Sequence, residues 1–114
     1  MTDYAIYMLD PTGLVTSWNL GAQNFGGYEA AEISGRHFSC FYADEDQQAG
    51  LADHTLRTAA EIGRYESESW QIRKDGSRFW AHVIIDPIRA PSGTLLGFAK
   101  ITRDLSEGSL PRRF

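Results

Sequence analysis

The sequence predicts an α+β domain built on one antiparallel β-sheet. Two hairpins follow each other between residues 70 and 104, with turns marked by Asp75-Gly76 and by Pro91-Ser92-Gly93. Another hairpin is predicted at the N-terminus, and a helical segment separates it from these two. Strands at both ends with helices grouped between them are typical of helices packed on one antiparallel sheet.

The N-terminal hairpin is predicted over residues 4–19. Tyr4 to Leu9 is a short apolar run rich in residues that favour strands. The turn segment Asp10-Pro11-Thr12-Gly13 places Asp, Pro and Gly where a type I β-turn favours them. We therefore expect Leu14 to Asn19 to form the second strand.

Residues 20–63 are predicted to form several short helices followed by one longer helix. Glycines divide the first part, whereas Glu45 to Ile62 lacks proline and has apolar residues at helical spacing. Gly63 can end this longer helix in the left-handed conformation. Its start is marked by three acidic residues that oppose the helix macrodipole, namely Asp44, Glu45 and Asp46.

Strands are expected to resume at about Tyr65 and to continue through both C-terminal hairpins to Leu105. The Asp75-Gly76 pair favours a two-residue turn, because glycine tolerates positive φ. The strand from Phe79 to Asp86 carries apolar residues on both of its alternating faces. Since an antiparallel sheet needs only one covered face, we expect helices on one face and a partner or flanking helix on the other.

Length and charge narrow the possible functions. The 114 residues, 42% of them hydrophobic, suffice for one folded domain, which we place at residues 1–107, with 108–114 as a linker or added tail. A net charge of -4 without a basic cluster beyond Arg112-Arg113 argues against a nucleic acid partner. No nucleophile and base occur in a recognisable catalytic pattern, so the domain is not predicted to be an enzyme.

Cysteine usage and hydropathy predict the compartment. The lone cysteine, Cys40, excludes an internal disulfide and fits a reducing environment, so a cytoplasmic location is expected. No apolar run approaches the roughly 20 residues that span a bilayer. Direct membrane contact is therefore not expected of this domain.

Four segments, in this order, resemble the PAS domain family: MLDPTGLVTSWN, GYEAAEISGRHF, RKDGSRFW and GFAKITRDLSE. The resemblance spans Tyr4 to Glu107. It implies a five-stranded antiparallel sheet in spatial order B-A-I-H-G, with Tyr4–Leu9 as strand A. It also implies short helices and one longer helix on the concave face, a pocket beneath them, and a sensory and relaying role.

Within this family the scaffold is similar to the light-oxygen-voltage photoreceptors, which makes a flavin testable from the sequence. The segment GRHFSCFY has Phe38 where those photoreceptors carry the reactive cysteine. Cys40 lies two residues further on, which turns it by about 200° on a helix. The positions that contact flavin in those proteins correspond to Gln71, Ala81, Thr102 and Ser39. Flavin adduct chemistry is therefore not expected.

Haem and metal sites are not expected either. Some PAS sensors bind haem iron through a histidine on the long helix, but Gly50 aligns nearest to that ligand position. His54 is better explained as a surface residue of the helix and His37 as a capping or surface residue, while His82 falls on the face opposite the pocket. The three histidines form no metal-binding cluster.

Strand alternation combined with the resemblance predicts which residues line the pocket. Most are apolar, and Lys100 is the exception, because a buried ammonium is costly without a partner. We hypothesise that Lys100, with Gln71 and Thr102, contacts a polar or anionic group of a small ligand. Alternatively, Lys100 pairs with an internal carboxylate or extends to the end of the sheet. The predicted pocket residues are Tyr7, Leu9, Phe38, Ser69, Gln71, Ala81, Val83, Ile85, Phe98, Lys100 and Thr102.

The opposite face of the sheet is predicted to be an interface. In PAS proteins this face docks a flanking helix or a second copy of the domain, so we expect a homodimer. A missing N-terminal segment that covers the face is the alternative. The predicted interface residues are Ile6, Met8, Trp70, Ile72, Trp80, His82, Ile84, Ala99 and Ile101.

The end of the last strand is the predicted exit for a signal. Asp104, Leu105, Ser106 and Glu107 match the family's acidic motif, after which a signalling helix usually begins. The resemblance thus implies a sensory module for signal transduction, joined to an output domain in a two-component histidine kinase or a cyclic-dinucleotide enzyme. A ligand-free module that only dimerises or docks partners is the alternative. Large aromatic residues filling the cavity would favour that alternative, and an isolated polar group in an apolar cavity would favour sensing.

Overall fold

Four antiparallel strands and five helices make up residues 4–105, the part of the chain that the computed structural model describes. The strands form one sheet in the order β1-β4-β3-β2. This order corresponds to A-I-H-G in the predicted topology and confirms the α+β fold class. In chain order the elements are β1 (Tyr4–Leu9), α1 (Leu20–Gly26), α2 (Ala30–Ile33), a 3-10 helix (Phe38–Phe41), α3 (Asp44–Gln48), α4 (Leu51–Ile62), β2 (Tyr65–Ile72), β3 (Arg78–Arg89) and β4 (Leu95–Asp104).

The predicted fifth strand is reduced to isolated backbone pairing. Val15 forms a single bridge with Leu9 of β1, so the expectation of a strand from Leu14 to Asn19 was wrong. The Ser17 hydroxyl and the Asn19 side-chain oxygen instead accept hydrogen bonds from backbone N–H groups of β1, at 3.1 and 3.0 Å. Side chains thus satisfy the edge donors that a fifth strand would otherwise pair.

Three tight turns within residues 4–105 have the same three-residue form. At the β2–β3 loop, the N–H of Arg73 donates to the carbonyl of Ser77 and the N–H of Gly76 donates back to Arg73, both at 2.9 Å. Gly76 adopts a φ of 89°, which L-residues with side chains rarely tolerate. The expectation of a two-residue turn was therefore wrong, since Lys74 joins Asp75-Gly76 in the loop. The Pro11–Gly13 and Pro91–Gly93 loops repeat this pattern.

The segment predicted as one longer helix consists of two helices. Gly50, with a φ of 74°, separates α3 from α4. The three acidic residues at positions 44–46 consequently lie in the first turn of α3, and α4 begins at Leu51. Gly63 ends α4 as expected, in the left-handed conformation, with its N–H donating to the carbonyl of Ala59 at 2.9 Å.

The helices cover one face of the sheet, which we call the inner face, and leave the other, the outer face, uncovered by the described residues. Inner-face residues of β3, such as Val83 and Ile85, are fully buried, whereas their outer-face neighbours are partly exposed. This alternation confirms that the helices pack on one side of the sheet. No helix within residues 4–105 is long and apolar enough to cross a membrane.

Candidate functional site

A buried lysine lies at the centre of the inner face. Lys100 is on β4, directly opposite Tyr7 of β1 in the strand register, and Thr102 follows on the same face of β4. Gln71 reaches the same point from β2, the far edge strand of the sheet. The Lys100 Nζ donates hydrogen bonds to the Tyr7 hydroxyl at 2.5 Å, the Gln71 Oε1 at 3.1 Å and the Thr102 Oγ1 at 3.1 Å.

These three acceptors are uncharged, and the lysine is wholly buried. The side chain of Lys100 has 0% exposure, and no carboxylate within residues 4–105 forms an ion pair with it. Burial lowers the pKa of Lys100 from 10.5 to about 7, while the nearby Cys40 thiol acts weakly in the opposite direction. The alternative explanations, an internal carboxylate partner or extension to the sheet end, do not describe this arrangement.

Aromatic rings enclose the rest of the ammonium group. The Nζ lies 5.0 Å from the ring centroid of Tyr7, 5.5 Å from that of Phe41 and 5.8 Å from that of Tyr42. These distances are within the range in which a cation is attracted to a ring face. The rings partly compensate the charge of Lys100 when it is protonated, but they supply no counter-ion.

The cavity beside this cluster is small. It has a volume of about 20 Å³, and about 10–15 Å³ measured in this way is enough for one water molecule. Trp18 and Phe41 stack with their ring centroids 5.5 Å apart, and Tyr7 contacts both rings. Aromatic side chains therefore fill most of the space between sheet and helices. The cavity is lined by Ala5, Tyr7, Trp18, Ala22, Gly26, Phe41, Gln71, Ile72, Phe79 and Thr102.

Only part of the predicted pocket set borders this cavity. Ten of the eleven predicted residues are buried, and Ser69 is partly exposed. Three of them, Tyr7, Gln71 and Thr102, line the cavity, and these also contact Lys100. Lys100 itself lies behind these three residues, and the other six buried members belong to the surrounding hydrophobic core, so their role in a pocket remains a prediction.

Sequence reasoning missed several residues of the cavity wall. Ala5 could have been found, because it alternates with Tyr7 and Leu9 on the same face of β1. Trp18 lies in the loop before α1, and Phe41 ends the short 3-10 helix, so in neither place does a periodic pattern indicate the direction of the side chain. Ile72, predicted for the outer face, is the last residue of β2 and borders the cavity.

The residues at this site do not fit a flavin. Phe38, at the position of the reactive photoreceptor cysteine, is completely buried and packs edge-to-face on Tyr42, with ring centroids 5.6 Å apart. Cys40 lies two positions on in the 3-10 helix, and burial raises its thiol pKa, which disfavours the reactive thiolate. A volume of about 20 Å³ also holds water rather than a three-ring cofactor.

The histidines lie outside the Lys100 cluster. The Nδ1 of His37 accepts a hydrogen bond from the Ser39 N–H at 3.2 Å and caps the 3-10 helix, which confirms the capping explanation. His54 is exposed on α4. His82 lies on the outer face, 2.7 Å from the Glu66 carboxylate.

The end of β4 is tied to the β2–β3 hairpin by an ion pair. Asp104 is buried on the inner face, and its Oδ2 lies 2.5 Å from the Nη2 of Arg73. The guanidinium of Arg73 also lies over the ring of Phe79, at 4.5 Å. Leu105 remains attached to β3 through its N–H, which donates to the Trp80 carbonyl at 2.8 Å. The other two predicted relay residues, Ser106 and Glu107, lie outside the described residues.

The outer face presents a mixed apolar and charged surface. Ile6 and Trp70 are 44% and 43% exposed, and the other predicted interface residues are partly exposed. Trp70 and Trp80 meet edge-to-face with ring centroids 5.1 Å apart. The indole N–H of Trp80 donates to Glu68 at 3.0 Å, so acidic side chains border the apolar area along β2.

A sequence model of the PAS domain matches residues 3–107, nearly the whole chain. The chain belongs to the PAS domain family. Over 105 residues, 92% of this chain, it is 50% identical to two-component system protein A from Emericella nidulans. The match spans only 15% of that protein's length.

Solved structures show the same fold. The PAS domain of a protein from Colwellia psychrerythraea aligns with a TM-score of 0.83 at 22% identity, covering 91% of this chain and 87% of that one. A PAS domain of a LuxR-family transcriptional regulator from Burkholderia thailandensis, in complex with ethanol, aligns with a TM-score of 0.73 at 18% identity, covering 90% and 89%. A light-oxygen-voltage domain studied with a flavin analogue gives 0.73 at 24% identity, covering 94% and 79%.

Proposed function

We propose that this PAS domain is the sensory module of a cytoplasmic two-component signalling protein and that it detects a small ligand at Lys100. The observation that carries the proposal is the buried ammonium of Lys100, which has three neutral hydrogen-bond partners and forms no ion pair with a carboxylate of residues 4–105. A ligand with a polar or anionic group would supply the missing compensation. The 50% identity to a two-component system protein supports this context for the parent protein, for which we propose a histidine kinase or a cyclic-dinucleotide enzyme.

The proposed relay runs from Lys100 to the end of β4. Gln71, a partner of Lys100, lies two residues before Arg73, and Arg73 pairs with Asp104. A ligand that displaces the Gln71 amide from Lys100 would shift the end of β2 and thereby the Arg73–Asp104 pair. The segment after Asp104, where the output domain would be joined, would then receive the change.

Two small probes and one matched pair of variants test the ligand proposal. Backbone amide signals would be followed by NMR while acetate, an anion, or ethanol, a neutral molecule of similar size, is added. Ethanol is chosen because it is bound by the Burkholderia thailandensis PAS domain. Acetate should shift the signals around Lys100, and Lys100→Met should abolish the effect. Lys74→Met removes the only other lysine, which is exposed and pairs with Glu32, and should leave it unchanged.

Loss of the acetate effect in both variants, or in neither, would contradict the assignment of the site. Native mass spectrometry and an absorption spectrum of the purified full-length parent provide a second measurement, because a bound cellular ligand would appear as added mass. A protein that shows no added mass and no response to either probe would refute ligand sensing at Lys100.

A ligand-free interaction module is the second candidate. The close packing of Tyr7, Trp18 and Phe41 and the cavity of only about 20 Å³ favour it, as does the exposed apolar area of the outer face. This candidate predicts a homodimer through that face. Ile101→Lys, in the centre of the outer face, should then shift sedimentation equilibrium toward monomer, whereas Lys74→Glu on the helix side should not. A wild-type protein with native flanks that stays monomeric at all concentrations would refute it.

A further inference from the structure

We propose that Ser77 is a phosphorylation site and that a phosphate there weakens the Arg73–Asp104 ion pair at the end of β4. The modification is a phosphoryl group that a serine/threonine kinase transfers from a nucleoside triphosphate to the Ser77 hydroxyl. This switch needs no ligand at Lys100 and therefore goes beyond the proposed function.

The β2–β3 loop holds Ser77 and Arg73 opposite each other. The N–H of Arg73 donates to the Ser77 carbonyl at 2.9 Å, and the Ser77 hydroxyl accepts a hydrogen bond from the Arg73 Nη1 at 3.4 Å. Ser77 is exposed, and surface loops are the segments open to other proteins. The hydroxyl is thus accessible and already faces a guanidinium.

One guanidinium serves both Ser77 and Asp104. The Nη1 of Arg73 contacts the Ser77 hydroxyl, and its Nη2 lies 2.5 Å from the Oδ2 of Asp104. The guanidinium carbon lies 4.5 Å from the ring centroid of Phe79, and stacking on a ring fixes the plane of the group. The arginine fork can bind oxygens at two of its nitrogens at once. A phosphate on Ser77 consequently meets this guanidinium without a rearrangement of the loop.

The charges around Ser77 direct a phosphate toward Arg73. Phosphoserine carries a charge of about -1.5 to -2 near neutral pH and three strong acceptor oxygens. The Asp75 carboxylate accepts a hydrogen bond from the Ser77 N–H at 2.8 Å, so repulsion between like charges turns the phosphate away from Asp75. The neighbouring cations Lys74 and Arg78 pair with carboxylates of α2 and α3.

A phosphate at Ser77 acts on Asp104 through charge. The Asp104 side chain is 4% exposed, and a carboxylate buried to this extent depends on its cation. A phosphate on the other edge of the guanidinium repels this carboxylate and competes for the same N–H groups. The last residue of β4 is then held less firmly, and Leu105 follows it directly.

The transfer balances with a nucleoside triphosphate as the co-reactant. The Ser77 oxygen attacks the γ-phosphorus, and the hydroxyl proton passes to a base of the kinase. A phosphorus–oxygen bond to the serine forms, the bond to the bridging oxygen breaks, and the nucleoside diphosphate leaves with that electron pair. The kinase supplies the catalytic groups, and this chain supplies the hydroxyl.

Phosphoserine installed at position 77 during translation tests the effect on Asp104. Equilibrium unfolding is measured with and without Asp104→Asn, in the phosphorylated and the unphosphorylated chain. Without the phosphate, Asp104→Asn should raise the unfolding constant on the order of a hundredfold, because a buried ion pair is broken. With the phosphate the rise should be at least about tenfold smaller. An equal rise in both forms would overturn the coupling.

The second ionisation of the phosphate identifies its partner and can be followed by phosphorus NMR. Its pKa, about 6 in an unperturbed phosphoserine, should be higher by about 1 in Arg73→Gln than with Arg73 present, because a nearby cation lowers it. Arg78→Gln is the matched control and should leave it unchanged, since that guanidinium pairs with Glu45. No rise in Arg73→Gln, or an equal rise in both variants, would overturn the pairing with Arg73.

A second readout needs no substitution at Arg73. Phosphoserine at position 77 should shift the amide NMR signals of Asp104 and Leu105. Phosphoserine in place of Ser92 should leave these signals unchanged, because the Ser92 hydroxyl, in the β3–β4 loop, contacts Thr94 at 3.0 Å. Signals that respond equally to the two phosphates, or to neither, would contradict a specific link from Ser77 to the end of β4.

Kinase access is tested on the intact chain. Basic residues flank Ser77 at positions 73, 74 and 78, and kinases select substrates by such charge patterns. Incubation with ATP and a serine/threonine kinase that selects basic substrates, followed by digestion and mass spectrometry, should place phosphate on Ser77. Ser77→Ala should lose this label. A chain without phosphate on Ser77 would overturn the modification site and leave the ligand proposal at Lys100 to its own acetate titration.

Discussion

Replacement of Lys100 by methionine should change how the stability of the domain depends on pH. Methionine has a similar length and no charge, so the variant removes a single titrating group from the core. The pKa of Lys100 falls from 10.5 to about 7 on folding, because burial disfavours the ammonium. Between these two values the unfolded chain binds more protons than the folded one. Wild-type stability must therefore rise with pH in this window and be lost as pH falls toward 7.

The size of the effect follows from the same two pKa values. Each unit of pKa difference corresponds to about 1.4 kcal/mol, so the protonation penalty reaches about 4 kcal/mol at pH 7. At about pH 9 the remaining penalty is about 2 kcal/mol, which leaves a rise of about 2 kcal/mol across the window. The absolute change in unfolding free energy caused by Lys100→Met is less informative than its pH dependence. The variant also leaves three side chains without their hydrogen bond to Lys100, at about 1 kcal/mol each.

Urea unfolding of both proteins at a series of pH values between about 7 and 9 measures the difference. Tyr7, Tyr42 and Cys40 have raised pKa values, and their contributions to the pH dependence largely cancel when variant and wild type are compared. We expect the gap between the two stabilities to shift by about 2 kcal/mol in favour of wild type as pH rises. Lys74→Met serves as a surface control, and the pH dependence of its unfolding free energy should be parallel to that of wild type. Parallel curves for Lys100→Met would show that Lys100 is equally protonated in the folded and unfolded states and would refute the argument.

Further changes test the exit of β4 and the strand contacts. Asp104→Asn should destabilise the domain by about 3 kcal/mol, because it removes the buried negative charge that pairs with the Arg73 guanidinium; a loss below about 1 kcal/mol in equilibrium unfolding would contradict this. Gly97→Ala should cost several kcal/mol, on the order of 3, because its Cβ would lie 2.2 Å from the Leu9 carbonyl oxygen. Gly76→Ala, with a positive φ but open space around it, should cost only about 1 kcal/mol. Equal losses at the two glycines would contradict the close β1–β4 approach.

The inner and outer faces could be predicted from the sequence, because a strand reverses its side chains at each residue. Lys100 and Thr102 were expected on the inner face, and both are buried there. Turn residues likewise located the hairpins, since Gly76 and Gly93 adopt the positive φ that their loops require. Strand alternation and the backbone preference of glycine were sufficient at these positions, because both depend only on residues adjacent in the sequence.

The contents of the pocket could not be predicted in the same way. Trp18 and Phe41 lie outside the strands and helices α1–α4, and only the packed fold brings their rings within 5.5 Å of each other. The prediction of a fifth strand was wrong for a related reason. The side chains of Ser17 and Asn19 accept hydrogen bonds from the backbone of the edge strand β1, in place of a continuous backbone pairing. Neither the side-chain contacts across the fold nor this competition at the edge has a periodic signature.

The two features that were expected to distinguish a sensor from a ligand-free module occur together in this domain. Aromatic rings fill most of the space between sheet and helices, and beside the remaining cavity lies a buried amine that pairs with no carboxylate of residues 4–105. If position 100 served packing only, an apolar residue there would give a more stable domain, because replacing buried charged groups by well-packed apolar ones is often neutral or stabilising. The rings of Tyr7 and Phe41 lie within 5.5 Å of Nζ. The three hydrogen-bond partners, Tyr7, Gln71 and Thr102, lie between Nζ and the small cavity. A filled pocket with one costly polar group therefore supports the proposal of a very small ligand over that of a ligand-free module.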